Sequence, residues 1–189
     1  MPLYVVEGLD GAGKSMQIEL LRFKRDFLLF KYPTNKTPEL NNYLEKKIEM
    51  DEHELFHLFL KDIMAEQQDV RKALEDGKTV VLDRYIFSTI AYEKKGVSYD
   101  EGKHIIEKMG FLKPDKVFLI DISPEVSQER KRKQKSLDRY ESDLEYLTRV
   151  RANFHKLHNE KFLCKDWYLI DGSKDKESTH QQIMKAIIL

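Results

Sequence analysis

Residues 8–15 read Gly8-Leu9-Asp10-Gly11-Ala12-Gly13-Lys14-Ser15, between an apolar run, Leu3 to Val6, and a segment of helical period, Ser15 to Asp26. The spacing is G-x-x-x-x-G-K-[ST], set in the strand–loop–helix context that gives this pattern its meaning. The glycines let the backbone turn tightly around phosphate oxygens, and the helix start aims N–H groups and its dipole at them. Lys14 adds a positive charge and Ser15 offers a hydroxyl to Mg²⁺. The eight residues are therefore candidates for binding a nucleoside triphosphate. Kinases, GTPases and ATP-driven switches share such a loop, so other segments must decide among them. No Asn-Lys-x-Asp guanine reader is present; Asn35-Lys36-Thr37-Pro38 lacks its carboxylate.

Moving outward, short apolar runs alternate with longer helical patterns, the order of βαβ units and a parallel sheet. The expected strands are Leu3 to Val6, Phe27 to Tyr32, Thr79 to Leu82, Lys116 to Ile122 and Trp167 to Ile170. Runs such as Val80-Val81-Leu82 scarcely alternate, as befits strands covered on both faces. Ser15 to Asp26 predicts a helix packing Ile18, Leu20, Leu21 and Phe23. Asp51 to Asp76 predicts one long helix, capped by Asp51 with Glu54 and stopped by Gly77. Ser142 or Asp143 opens another, to about Glu160, and Lys176 to Ile188 closes the chain. The expected fold class is α/β: a three-layer P-loop NTPase fold, with a five-stranded parallel sheet flanked by helices on both faces and a short lid. Residues 1–189 form a single domain.

The 189 residues carry 33 Lys plus Arg against 33 Asp plus Glu, so no global field attracts a nucleic acid polymer or an anionic membrane. No apolar run approaches the roughly 20 residues that span a bilayer. The one cysteine, Cys164, has no internal partner, and nothing at the amino terminus reads as a signal peptide. These features predict a cytoplasmic protein. His53 and His57 are four apart without the Glu of a zinc helix, and no zinc is assigned.

Val80-Val81-Leu82-Asp83-Arg84-Tyr85 delivers a carboxylate and a guanidinium at the carboxyl end of a strand, the edge where α/β sheets bind ligands. Asp83 can hold Mg²⁺ through water, and Arg84 can fork onto an acceptor phosphate. The plainer alternative is a surface pair capping the next helix. Residues 130–139, Arg130-Lys131-Arg132-Lys133-Gln134-Lys135-Ser136-Leu137-Asp138-Arg139, hold six cations and one carboxylate. Such a run is either a solvated face or, after a strand and a Ser123-Pro124 helix start, a cationic lid.

With these segments in order, the chain resembles the thymidylate kinases along nearly its whole length. The resemblance rests on the phosphate loop with Asp10, Lys31-Tyr32-Pro33, and Asp83-Arg84-Tyr85 with Ser88 and Ala91-Tyr92. It continues through Pro114-Asp115 and Leu137-Asp138-Arg139 with Glu141. It implies ATP with Mg²⁺, thymidylate as acceptor, and a homodimer to which the long Asp51 to Asp76 helix contributes. It implies further that Asp10 reaches the acceptor's 3′-hydroxyl, Arg84 binds its phosphate, and Tyr92 lies against the deoxyribose. Lys31, Pro33, Phe59 and Ser88 join the acceptor site, while Ser15 and Asp83 serve the metal.

The resemblance also implies a lid over residues 130–142. Family members carry the arginine acting on the transferred phosphoryl either in the phosphate loop or in the lid. Here the loop offers only Gly11 and Ala12, so the catalytic cations beside Lys14 and Arg84 are sought among Arg130, Arg132, Lys133, Lys135 and Arg139. Gln134 stands where the lid arginine is usual. Ile63 and Glu93 occupy the places of the family's base-reading arginine and glutamine, and Asn35, with Lys36 beside it, replaces an arginine after Pro33. A broad acceptor range is expected, with Phe56, Phe59 and Tyr92 holding the base by packing; the alternative for Phe56 and Phe59 is a place in the core. Two rival readings remain at this point: a P-loop kinase for another nucleotide or nucleoside, and a non-catalytic nucleotide-binding regulator.

Overall fold

The computed structural model describes residues 1–93, 96–133 and 143–188. Its five strands are β1 (Leu3–Glu7), β2 (Leu28–Lys31), β3 (Val80–Asp83), β4 (Lys116–Asp121) and β5 (Asp166–Asp171), all parallel in the order β2-β3-β1-β4-β5. β1, β3 and the middle of β4 are buried throughout. That explains why their sequences run apolar without alternation. β2, at one edge, is shorter than its apolar run and leaves Leu28 exposed. In register Val6 lies beside Asp83 and beside Phe118. The carboxyl ends of all five strands carry charge: Glu7, Lys31, Asp83, Asp121 and Asp171.

α1 (Lys14–Arg22) starts at Gly13 and buries Ile18 and Leu21. It stops four residues short of Asp26, because the N–H groups of Lys24 and Arg25 both turn back to the Leu21 carbonyl. Phe23 consequently points into solvent, 86% exposed, and does not pack on the sheet. The short α2 (Pro38–Leu44), with no expectation from sequence, packs Leu40 and Tyr43 on Leu55.

The stretch from Asp51 to Asp76 is two helices, α3 (Glu52–Met64) and α4 (Gln67–Glu75), rather than one. The Asp51 cap and Gly77 stop are where the residues place them: Asp51 accepts from the N–H groups of His53 and Glu54, and Gly77 has φ 75°. Between the helices the Glu66 N–H bonds three residues back, to Ile63, which tightens the turn. There two adjacent buried side chains reach different partners. Glu66 takes Lys36 at 2.6 Å, while the Gln67 amide oxygen accepts from the Tyr85 hydroxyl and the Leu112 N–H.

α5 (Ile86–Ala91) follows β3, α6 (Tyr99–Met109) ends on Gly110, and α7 (Pro124–Lys133) follows β4. α8 (Leu144–Glu160) is capped by Asp143, and α9 (Lys176–Ile188) lies against α1. Arg151 on α8 grips Asp121 at the end of β4 through both carboxylate oxygens, at 2.8 and 2.7 Å. Burial alone would raise the Asp121 carboxyl, but Arg151 and His155 hold it below its ordinary range.

Candidate active site

The strand ends converge around the phosphate loop. Gly8 adopts φ 142°, and a Cβ there would lie 2.4 Å from the Ile120 carbonyl oxygen, so the loop hugs β4 in a way open only to glycine. Lys14 curls back under the loop, its Nζ donating to the Gly8 and Leu9 carbonyls at 2.9 Å each. Burial, and then Arg84 nearby, pushes the Lys14 ammonium below its usual range. Gly13 caps α1 without a side chain, leaving the helix start free of a side-chain cap, and Ser15 on its first turn is exposed.

Asp10 faces away from the loop toward Arg84. The two form an ion pair, and Asp10 also accepts from the Tyr92 hydroxyl at 3.3 Å. Burial would raise the Asp10 carboxyl, but Arg84, Lys14 and Lys131 together hold it well below the carboxylate range. Arg84 sits at φ 69°, a conformation uncommon for a residue with a side chain. Its guanidinium lies 5.3 Å from the Tyr92 ring centroid and donates to Ser88 Oγ at 3.1 Å. The site thus unites Asp10, Arg84, Ser88 and Tyr92, four of the residues expected to meet the acceptor.

Beneath them lies a residue the sequence reading passed over. Glu7, the last residue of β1, is 0% exposed. Its Oε1 accepts from the N–H groups of Tyr85 and Ser88, at 2.8 and 3.1 Å, and its Oε2 from Ser88 Oγ at 2.6 Å. Burial raises its carboxyl strongly in spite of these donors. The signal was a carboxylate ending an apolar strand just before the phosphate loop.

Asp83 is buried beside the loop, and Lys31 approaches it at 3.8 Å from an exposed position. The cis Tyr32–Pro33 bond starts a turn held by Asp62, which accepts from the Thr34 N–H at 2.7 Å and from the hydroxyls of Thr34 and Thr37. Between this turn, α3 and α5 opens a cavity of about 350 Å³. Its walls include Asp10, Pro33, Phe56, Phe59, Ile63, Arg84, Ser88, Tyr92 and Glu93. Phe56 is a core residue, 5% exposed and packed near Gly102, and it also lines the cavity. Phe59 is only half-buried.

α7 lies across the outer face of the loop. Ser127 Oγ donates to the Asp10 carbonyl at 2.6 Å, and Arg130 bridges the carbonyls of Gly11 and Gly172 at 3.2 and 3.0 Å. A Cβ on Gly11 would meet the Ser127 carbonyl oxygen at 3.1 Å and Arg130 Cβ at 3.3 Å. Arg132 is exposed, and Lys133 is exposed and paired with Glu129. The remaining lid candidates, Lys135 and Arg139, and residues 134–142 generally, lie outside the described residues. Among the described residues no group of three or more His, Cys, Asp or Glu is placed to hold a metal ion, and no helix is long and apolar enough to cross a membrane.

Comparison with known proteins agrees with this geometry. A family model described as thymidylate kinase matches residues 6–183. A probable thymidylate kinase of Archaeoglobus fulgidus is 35% identical, covering 98% of this chain and 94% of the relative. The thymidylate kinase of Leptospira interrogans is 34% identical over 99% and 94%, and that of Schizosaccharomyces pombe 30% over 98% and 90%. A phosphate loop whose Asp10 pairs with Arg84, a matching family model over almost every residue, and full-length relatives of one name converge: the chain belongs to the thymidylate kinase family.

Proposed function

We propose that this chain transfers the γ-phosphoryl group of ATP to thymidine 5′-monophosphate, giving the diphosphate, through an acceptor site that discriminates loosely among bases. The observation that carries the reading is the Asp10–Arg84–Ser88 constellation, set between the phosphate loop and the aromatic-lined cavity. Family membership favours this over a kinase for a non-phosphorylated nucleoside, which would need no arginine for an acceptor phosphate, and over a non-catalytic regulator.

The donor set suits Mg²⁺, because the Ser15 hydroxyl and the buried Asp83 carboxylate are oxygen ligands of the kind hard divalent ions take, directly or through water. When bound with ATP, Mg²⁺ would neutralise charge on the phosphate oxygens. Lys14 leaves the loop carbonyls for the phosphates, and its burial keeps that charge in a medium where it counts for more than in water. Arg84 has donors to spare after Asp10 and Ser88, and offers them to the acceptor phosphate. Asp10, tied to Arg84 and Tyr92, stands where the acceptor sugar would pass. No covalent intermediate or strong base is required; positioning and charge stabilisation do the chemistry. Arg132, Lys133, Lys135 and Arg139 remain candidates for the lid charge, whereas Arg130 is assigned a bracing role by its two carbonyl partners. We assign a homodimer with α3 and α4 at its interface, and a cytoplasmic location, on the family resemblance and the single buried thiol of Cys164.

The test is an ADP-release assay with Mg·ATP and thymidylate. Wild type turns over; Lys14→Ala and Arg84→Ala each lose about a hundredfold or more in kcat/KM, the scale of one lost transition-state charge contact. ATP binding without turnover of any monophosphate would overturn the reading.

A further inference from the structure

The base end of the acceptor cavity is lined in a way that selects a chemistry. α5 separates Arg84 from Glu93, and its six residues span about 9 Å at the helical rise of 1.5 Å per residue. The phosphate anchor and Glu93 therefore flank the two ends of α5, and both line the cavity. Glu52, on the first turn of α3, joins Glu93 there: a Cβ on Gly96 would meet Glu52 Cβ at 2.8 Å, so the segment after Glu93 rests on the start of α3. Burial raises the Glu93 carboxyl, Arg149 and Asn153 on α8 offset this, and Glu52 adds to the upward push.

Several other polar groups lining the cavity are engaged elsewhere, and the Tyr32 and Thr89 hydroxyls, which also line it, are neutral groups able to donate or accept. Asp62 serves Thr34 and Thr37, the Tyr85 hydroxyl serves Gln67 and Leu112, and the Tyr146 hydroxyl donates to the Tyr92 carbonyl. Among the described lining residues the one cation, Arg84, belongs to the phosphate end, and Ile63 adds only apolar surface. The charged groups on the Glu93 side of the cavity are thus carboxylates, which accept hydrogen bonds when ionised.

A base edge pairs with such a wall by donating. Cytosine presents an exocyclic amine, the group that Asp and Glu carboxylates accept from in base recognition. Thymine presents a single N3–H between two carbonyl oxygens that an anionic wall repels. Resting on the acceptor site proposed above, we propose that Glu93, with Glu52 beside it, admits amine-bearing pyrimidines, so that the enzyme phosphorylates deoxycytidylate alongside thymidylate.

The experiment compares kcat/KM for thymidylate and deoxycytidylate, with Mg·ATP, in wild type, Glu93→Gln and Glu93→Lys, melting curves reporting that each variant folds. In wild type the two acceptors should lie within about tenfold of each other, the scale of one hydrogen bond. Glu93→Gln, which replaces a charged acceptor by a neutral amide, should shift the ratio toward thymidylate by about tenfold, and Glu93→Lys should shift it further. A wild-type preference for thymidylate beyond about a thousandfold, roughly 4 kcal/mol, would overturn the inference and leave the kinase assignment standing. So would an unchanged ratio in both variants. No turnover on either acceptor would sink both the assignment and the inference.

Discussion

Glu7 shows how much of this site hangs on one side chain. It faces no solvent, yet it satisfies the first N–H groups of the turn into α5 and fixes Ser88, which in turn receives Arg84. Glu7→Ala would strip the buried Tyr85 N–H of its acceptor and the Ser88 hydroxyl of its anchor, while the Ser88 N–H keeps the Tyr85 carbonyl, and we expect a loss of about 1–3 kcal/mol by urea denaturation. Glu7→Gln keeps an acceptor for both N–H groups, while Ser88 must turn to accept instead of donate. It should fold with less than half that loss and, if Glu7 positions Arg84, raise KM for the acceptor more than KM for ATP. Equal changes in both constants would assign Glu7 a structural role only. The sequence announced Arg84 by its place at the carboxyl end of a strand, and Asp10 and Tyr92 through the resemblance to the family. Glu7 and Asp62 were silent because their partners are 25 to 81 residues away and are defined only by folding.

At the scale of elements, every strand and most helices were legible in periodicity and caps, since burial on both faces and N-cap chemistry are local signals. The break between α3 and α4 was not, because Glu66 and Gln67 look like ordinary helix formers until Lys36, Tyr85 and Leu112 arrive. Phe23 likewise continued an apolar row by spacing while the backbone turned away beneath it. α7 carries its own prediction: Arg130→Ala releases the tie between Gly11 and Gly172 and should raise KM for ATP several-fold, with the acceptor's KM little changed, by steady-state kinetics. The clasp of α8 on β4 titrates. The Asp121 carboxyl is depressed in the folded state, so its contribution is present above the ordinary carboxylate pKa and is lost as pH falls through the lower folded value. Asp121→Asn should therefore cost about 1–2 kcal/mol at neutral pH, allowing for the partly exposed Arg151. That difference should shrink in denaturation curves taken below about pH 4.

For the whole molecule, the sheet order turns five chain-separated charges toward one edge and leaves the nucleotide sites there to organise everything above it. Occupancy should then be felt globally. ATP at about a hundred times its dissociation constant adds about 2.7 kcal/mol, or roughly 5–10 °C in melting temperature for a chain of this size. Lys14→Ala should abolish most of that shift, as differential scanning would record. The α/β architecture was readable from the alternation of apolar runs and helical segments. The cavity was not, because its walls come from the cis-Pro turn, α3 and α5, whose meeting no local pattern encodes.

The seat of α7 on the phosphate loop also limits which side chains the loop can take. The loop holds Gly11 and Ala12 where a cation could otherwise stand. Here the carbonyl of Ser127 and the Cβ of Arg130 close the space above Gly11, and Ala12 is 3% exposed. A larger side chain at Gly11 would press on α7 from its first carbon onward. Loop and helix thus act as lock and tenon: small residues in the loop are what let the helix seat, and a bulky one there asks the helix to move.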